Sequence, residues 1–326
     1  MAVERSWYQP ARALLLLLPL EWLFIAVTGI RRLAYRRGWL RRHRLACAVV
    51  VVGNISVGGT GKTPAVIALA EAISARGIRV GVVSRGYGGN ARGPRLVSPD
   101  CAADEVGDEA LLIARRTGLP VCIGRDRVAA GRALLQQHSL QLIISDDGLQ
   151  HYALERDVEV VTTDVRGAFG NGHRLPVGPL RESPARLRSV DLILQRGGAD
   201  PRTAMRYEPT GFRALRGGEV RQLSAPGFGP EVHAVAGIGK PDGFFALLCS
   251  LGLEPLEHRF PDHHSYSSED FLPLTDRPLI MTAKDAVKCA FLTRDDAWVL
   301  EIEAQLPEDA VERVLQATGL SGSCAA

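Results

Sequence analysis

The stretch Val49-Val50-Val51-Val52-Gly53-Asn54-Ile55-Ser56-Val57-Gly58-Gly59-Thr60-Gly61-Lys62-Thr63-Pro64 decides the fold. Four β-branched residues in a row, closed by glycine, read as a strand buried on both faces, as parallel sheets require. A glycine-rich loop and a helix start follow at once. Backbone N–H groups of such a loop and of the helix N-terminus attract phosphate oxygens, Lys62 adds a mobile positive charge, and the Thr63 hydroxyl suits Mg2+. Gly58, Gly59, Thr60, Gly61, Lys62 and Thr63 are therefore the candidate nucleotide cradle. The usual form of this loop has glycine six residues before the lysine, where Ser56 stands here. Pro64 is compatible with the first helical turn, where its missing N–H has no intrahelical partner.

Outward from this stretch, short β-branched runs alternate with helical patterns. Strands are expected at 48–53, 80–84, 120–124, 142–146, 158–162 and 191–195, with helices at 64–75, 108–117 and 127–138. That rhythm predicts an α/β fold, a P-loop doubly wound, mostly parallel sheet. Residues 207–223 read as two short strands about a Gly217-Gly218 turn. Beyond them a smaller α/β cycle is expected, with strands at 232–236, 257–260, 279–282 and 298–302 and helices at 244–251 and 309–318. The expected organisation is an N-terminal segment 1–45, a P-loop core 46–206, a two-stranded linker 207–230 and a smaller domain 231–326.

The chain has 326 residues, 46% of them hydrophobic, which is enough for one large core or two modest ones. Its net charge of +3 hides a basic block of Arg31, Arg32, Arg36, Arg37, Arg41, Arg42 and Arg44. Six scattered cysteines (Cys47, Cys101, Cys122, Cys249, Cys289, Cys324) with no C-x-x-C pair fit a reduced compartment. Residues 13–30 are the most apolar stretch, but Pro19 and Glu21 interrupt it, and a spanning helix wants about 20 apolar residues with little charge. With Tyr8, Trp22, Tyr35, Trp39 and the arginines nearby, the segment is expected to lie in or on the cytoplasmic leaflet. A true span and a helix packed on the core are the alternatives. The adjoining leucine run argues against a nucleic-acid arm, so no nucleic-acid partner is expected.

Four further clusters carry chemistry. Leu142–His151 is an apolar strand ending in Asp146 and Asp147, placed to bind Mg2+ beside the phosphates. Asp108 and Glu109 open a helix, where acids also complement the dipole, although transfer to an alcohol needs a proton acceptor. Phe260-Pro261-Asp262-His263-His264 could bring a histidine across a cleft. Arg85, in Ser84–Gly89, and Arg181, in the loop 167–182, offer forked donors to a phosphate on an acceptor. Lys284-Asp285 either contacts a nucleotide base or simply starts a helix.

Taken in order, these motifs, with Gly-Asn-Gly-x2-Leu-Pro-x-Gly-Pro-Leu-Arg-Glu (170–182) and Met-Thr-x-Lys-Asp-Ala-Val-Lys-Cys (281–289), closely resemble the tetraacyldisaccharide 4'-kinase family of lipid A biosynthesis. The family shares the Ser56 departure. The resemblance implies transfer of the ATP γ-phosphoryl to the 4'-hydroxyl of tetraacyldisaccharide 1-phosphate, giving lipid IVA at the cytoplasmic face of the inner membrane. It further implies ATP and Mg2+ at Lys62 and Thr63, metal-side acids Glu109, Asp146 and Asp147, and Asp108 as base paired with His263. Arg127, Gln150, His151, Asn171, Arg181 and Glu182 fall at positions near nucleotide or sugar. A membrane-bound switch ATPase is the reading from another class, disfavoured because Val57 replaces the second lysine such proteins often carry. A kinase of a soluble metabolite would leave the N-terminal anchor without purpose.

Overall fold

The computed structural model describes residues 7–8, 12–167 and 169–320; Cys324, Ala168 and several of the first eleven residues lie outside that description. Its sheet contains thirteen strands: β1 (Ala48–Gly53), β2 (Val80–Ser84), β3 (Arg95–Val97), β4 (Val121–Ile123), β5 (Leu142–Asp146), β6 (Val158–Asp164), β7 (Leu192–Arg196), β8 (Ala204–Ala214), β9 (Val220–Arg221), β10 (Glu231–Ala236), β11 (Glu254–Arg259), β12 (Leu279–Thr282) and β13 (Ala297–Gln305). The principal helices are α1 (Leu18–Arg36), α2 (Lys62–Ser74), α3 (Ala103–Val106), α4 (Asp108–Thr117), α5 (Arg127–Gln137), α6 (Asp242–Ser250), α7 (Ala283–Ala286) and α8 (Ala310–Thr318).

Strand order is β11-β10-β12-β13-β8-β7-β6-β1-β5-β2-β4-β3, with β9 paired to β8. The run from β7 to β4 is wholly parallel, and only the short strand β3 closes that edge antiparallel. Alternate valines of β1 explain its continuous apolar run. Val50 and Val52 face a core built with α2, α4 and α8, while Val49 and Val51 face a second one with Val128 and Leu134 of α5. Both faces are covered, as a doubly wound sheet demands.

The linker differs from expectation. Its first strand, β8, is eleven residues long rather than short. It pairs parallel with β7 at Ala204 and Met205 and antiparallel with β13 from Arg206 to Ala214, so one continuous sheet joins both halves. Arg116 of α4 reinforces the join, reaching Glu301 at 2.5 Å and Glu303 at 3.1 Å on β13. The smaller half packs Phe212, Phe245, Leu248 and Trp298 on one face of its strands and Val235, Met281 and Val299 on the other.

At the N-terminus, Pro19 lies in the first turn of α1 and interrupts nothing. Glu21 is buried: its carboxylate accepts from Arg174 N at 2.6 Å and meets His173 Nδ1 at 2.9 Å. The acid that breaks the apolar pattern is thus a tether to the core. Leu16, Leu20, Leu23, Val27 and Ile30, spaced four and three apart, remain exposed along one face. Residues 14–36 are long and apolar enough to cross a membrane by length and composition. The five described cysteines are free thiols.

Candidate active site

The carboxyl ends of β1, β5 and β2 meet on one side of the sheet, where open α/β sheets bind ligands. The cradle leaves β1 through Asn54, whose Nδ2 donates to Thr60 Oγ1 at 3.0 Å, and Thr60 is bonded in turn to Thr162 at 2.9 Å. Gly61 caps α2 in the left-handed region (φ 87°), and a Cβ there would run into Tyr207 and Met205 of β8. Only glycine satisfies both conditions.

Lys62 reaches Asp147 Oδ1 at 3.4 Å, and Arg181 Nη1 reaches the same oxygen at 3.0 Å. Burial alone would raise the Asp147 pKa, but Lys62 and Arg181 outweigh it and hold the carboxyl below its usual range. Its neighbour behaves oppositely. Asp146 is 1% exposed, and burial, then Glu109, then Asp147 push it up. Ser84 Oγ donates to Asp146 Oδ2 at 3.1 Å, while Asp146 Oδ1 is buried with no hydrogen-bond partner.

Behind this pair, buried Arg127 donates to the carbonyls of Gly124 at 2.8 Å and Asp146 at 3.4 Å. Gln150 Nε2 bonds Asn54 O and Glu182 Oε1, and Glu182 lies 3.7 Å from Arg32 of α1. Burial and the charge of Arg127 push the His151 imidazole down to about 4, so it is neutral at physiological pH. Asn171 is spent on its own loop, accepting from His173 N and donating to Val177 O.

The facing wall centres on Asp108, the first residue of α4, which is 5% exposed. His263, 155 positions away and beyond β11, meets Asp108 Oδ2 through Nδ1 at 2.9 Å. Burial works to raise the Asp108 pKa, but the His263 hydrogen bond and the Lys284 charge prevail, and the carboxyl is held below its ordinary value. The His263 pKa is correspondingly raised, chiefly by that bond.

Lys284, which the sequence left between a base contact and a helix start, lies in the first turn of α7. Its ammonium also lies 3.2 Å from Asp262, 3.4 Å from His263 Nε2, 3.6 Å from Glu109 and 3.8 Å from Asp108. Asp285 beside it is fully buried and structural, accepting from Gly237 N and Thr282 Oγ1. Tyr87, also not singled out, packs its ring 4.9 Å from that of His263. The one available hint was its place in the Arg85–Gly88 loop. Among described residues, Asp147 (φ 46°) and His263 (φ 60°) are the only non-glycines in the left-handed region, and both belong to this cleft. Such backbone costs on the order of 1 kcal/mol and concentrates at functional sites.

A phosphate cradle on one wall and a buried carboxylate–imidazole pair on the other are what phosphoryl transfer to an alcohol needs, which makes the fold and cleft those of a P-loop kinase. The sequence profile of the tetraacyldisaccharide-1-P 4'-kinase family, LpxK, matches residues 13–319. The tetraacyldisaccharide 4'-kinase of Alkalilimnicola ehrlichii is 50% identical over 92% of this chain and 91% of that protein. That of Methylobacillus flagellatus is 45% identical over 96% and 94%. LpxK from Aquifex aeolicus, whose structure was solved in complex with ATP, aligns with a TM-score of 0.80 at 27% identity over 94% of this chain and 99% of that one. The chain belongs to the tetraacyldisaccharide 4'-kinase family, and is thereby a lipid A kinase.

Proposed function

We propose that this cleft transfers the γ-phosphoryl of ATP to the 4'-hydroxyl of tetraacyldisaccharide 1-phosphate with Asp108 as the proton acceptor. The observation that carries the reading is the 2.9 Å Asp108–His263 bond, which joins segments far apart in sequence on the wall facing Lys62. In the reaction the acceptor oxygen forms a bond to the γ-phosphorus as the β,γ-bridging P–O bond breaks. The hydroxyl proton passes to Asp108, and ADP leaves. A base held below its usual pKa is fully ionised at neutral pH and suits a loose transition state, in which positioning counts for more than basicity. With its proton on Nδ1, His263 orients the carboxylate and leaves Nε2 to accept from Lys284. Lys62 holds phosphate oxygens, and its resting partner Asp147 keeps it aimed across the cleft.

Residues present fit Mg2+. Asp146 Oδ1 is buried and unpartnered, and Thr63 stands in the first turn of α2. Among described residues no three His, Cys, Asp or Glu side chains form a cage, which matches an ion that binds through one or two carboxylates, phosphates and water. Asp146 and Thr63 would hold it, with Glu109 alongside, and it supplies charge neutralisation on the phosphates when bound. The exposed leucine stripe of α1 and the arginines after it support docking on the cytoplasmic leaflet of the inner membrane, so that acyl chains stay in the bilayer while the sugar enters the cleft. Because His263 and Lys284 come from beyond residue 231, closure of that part on the core completes the base wall and excludes water.

The test is transfer of labelled γ-phosphate from Mg-ATP to tetraacyldisaccharide 1-phosphate in mixed micelles by wild type, Lys62→Ala and Asp108→Ala. Labelled lipid from wild type alone is the expected result. ATP hydrolysis without labelled lipid would favour a switch ATPase.

A further inference from the structure

One residue beyond Lys284 and three beyond His263 in sequence, the chain builds a buried polar knot. Its centre is Asp285, which has no exposed surface. Asp285 Oδ2 accepts from Gly237 N at 3.0 Å and Thr282 Oγ1 at 2.6 Å, and Lys288 Nζ lies 3.0 Å from Oδ1. Tyr266 turns its hydroxyl toward the same oxygen: a Cβ on Gly237 would stand 2.7 Å from that hydroxyl and 3.0 Å from Asp285 Oδ1. Burial and the Asp285 charge push the phenol pKa up, so the hydroxyl keeps its proton. Asp285 Oδ1, Lys288 Nζ and the Tyr266 hydroxyl are buried and have no hydrogen-bond partner elsewhere among the described residues. A carboxylate, an ammonium and a phenol therefore answer only one another.

The knot joins three loops. Gly237 follows β10, Tyr266 belongs to the segment after β11, and Asp285 and Lys288 to the segment after β12; these strands lie parallel, with β10 in the middle. Two of the loops carry the base wall, Asp262 and His263 on one and Lys284 on the other, and Lys284 Nζ crosses between them at 3.2 Å and 3.4 Å. The Tyr266 ring is held from its own side by Phe260 and Phe271, with centroids 5.1 Å and 5.5 Å away, which leaves the hydroxyl as its link to α7. A buried ion pair adds little net stability over apolar side chains of the same volume. What it supplies here is a fixed spacing between two loops that must reach one carboxylate.

We propose that Tyr266 and Lys288 are positioning residues for phosphoryl transfer: through Asp285 they lock the segments after β11 and β12 into one block, so that His263 and Lys284 meet Asp108 together. This rests on Asp108 being the proton acceptor, as proposed above. The two residues act through His263 and Lys284, on turnover and not on nucleotide binding.

The experiment measures kcat and the KM for ATP in the labelled-phosphate assay. Tyr266→Phe keeps the ring packing and removes only the hydroxyl; it should lower kcat about 10-fold with the KM for ATP within about twofold of wild type. Lys288→Met should cost at least as much, and Lys288→Arg should recover part of the loss. In a His263→Ala enzyme, Tyr266→Phe should change kcat by less than about twofold, because the group it positions is gone. A Tyr266→Phe enzyme with wild-type kcat, whatever its urea midpoint, would overturn the assignment, as would an equal loss in both backgrounds or a raised KM for ATP. Should Lys288→Met fail to fold, Tyr266→Phe still decides. If His263→Ala and Asp108→Asn themselves keep wild-type kcat, the reading of the base wall falls instead, and this inference with it.

Discussion

The two walls of the cleft are assembled by different means. On the phosphate wall, Lys62 opens α2 after the loop that leaves β1, and Asp146 and Asp147 lie at the end of the adjacent strand β5, whose register with β1 is set by five consecutive residue pairs. On the base wall, Asp108 opens a helix of the larger half, while His263 arrives from the loop after β11 and Lys284 from α7, directly after β12, of the smaller half. Each wall holds one left-handed non-glycine residue, Asp147 and His263 respectively. The difference teaches that a phosphate cradle can be preformed by a rigid sheet, whereas the proposed proton acceptor gains its partners only when distant segments come together.

Substitutions should separate the walls. The largest effect is expected from Lys62→Ala and Asp108→Asn, each lowering kcat by about 10³-fold in the labelled-phosphate assay. The first should also weaken nucleotide binding, and the second should not. Next, His263→Ala and Lys284→Met should each lower kcat about 10- to 100-fold with the KM for ATP nearly unchanged. Combined with Asp108→Asn they should add little, because all three residues act as a unit. A Lys284→Met enzyme with a greatly raised KM for ATP would show that the walls are not separable.

A smaller effect is expected where the phosphate wall continues into α1 through Glu182 and Arg32. Glu21→Ala should lower stability by about 1–2 kcal/mol, read from urea midpoints, because half-buried donors at residues 173 and 174 lose their acceptor. Its binding to anionic vesicles should persist, since the leucine stripe is untouched. The smallest is a pH effect. His151 has a folded pKa near 4 against 6.5 for the free side chain, so the unfolded chain binds more protons between those values and folded stability falls as pH drops through that window. His151→Gln should flatten the urea midpoint between pH 7 and pH 5; an unchanged slope would remove His151 from the buried side of this wall.

The phosphate wall was legible in sequence because it is local. Strand, loop and helix are contiguous from Ala48 to Ser74, and the expected strands 48–53, 80–84 and 142–146 match the structure end to end. The base wall was legible only through resemblance, since nothing in the periodicity of residues 100–120 or 255–290 says that Asp108 and His263 touch. Lys284 stayed ambiguous for the same reason: its four partners lie in two other segments. The length of β8 was missed because its pairing is non-local on both sides, and Glu21 was misread as a flaw because its acceptor role depends on a loop 150 residues away. β3 is three residues long, too short for a pattern.

The double allegiance of β8 bears on how the molecule comes apart. Its parallel partner and its antiparallel partner belong to different halves, and the two pairings divide at residue 206, Ala204 and Met205 lying against β7 and the rest of the strand against β13. Val311, Val314 and Leu315 of α8, from the far side of that point, pack in the core of the larger half, so neither piece is a self-contained folding unit, and heat or urea should melt the whole protein in one cooperative step despite its two hydrophobic centres. The proposed closure over substrate would bend a continuous hydrogen-bonded fabric, whose link between the halves is narrowest at the two register pairs between β7 and β8.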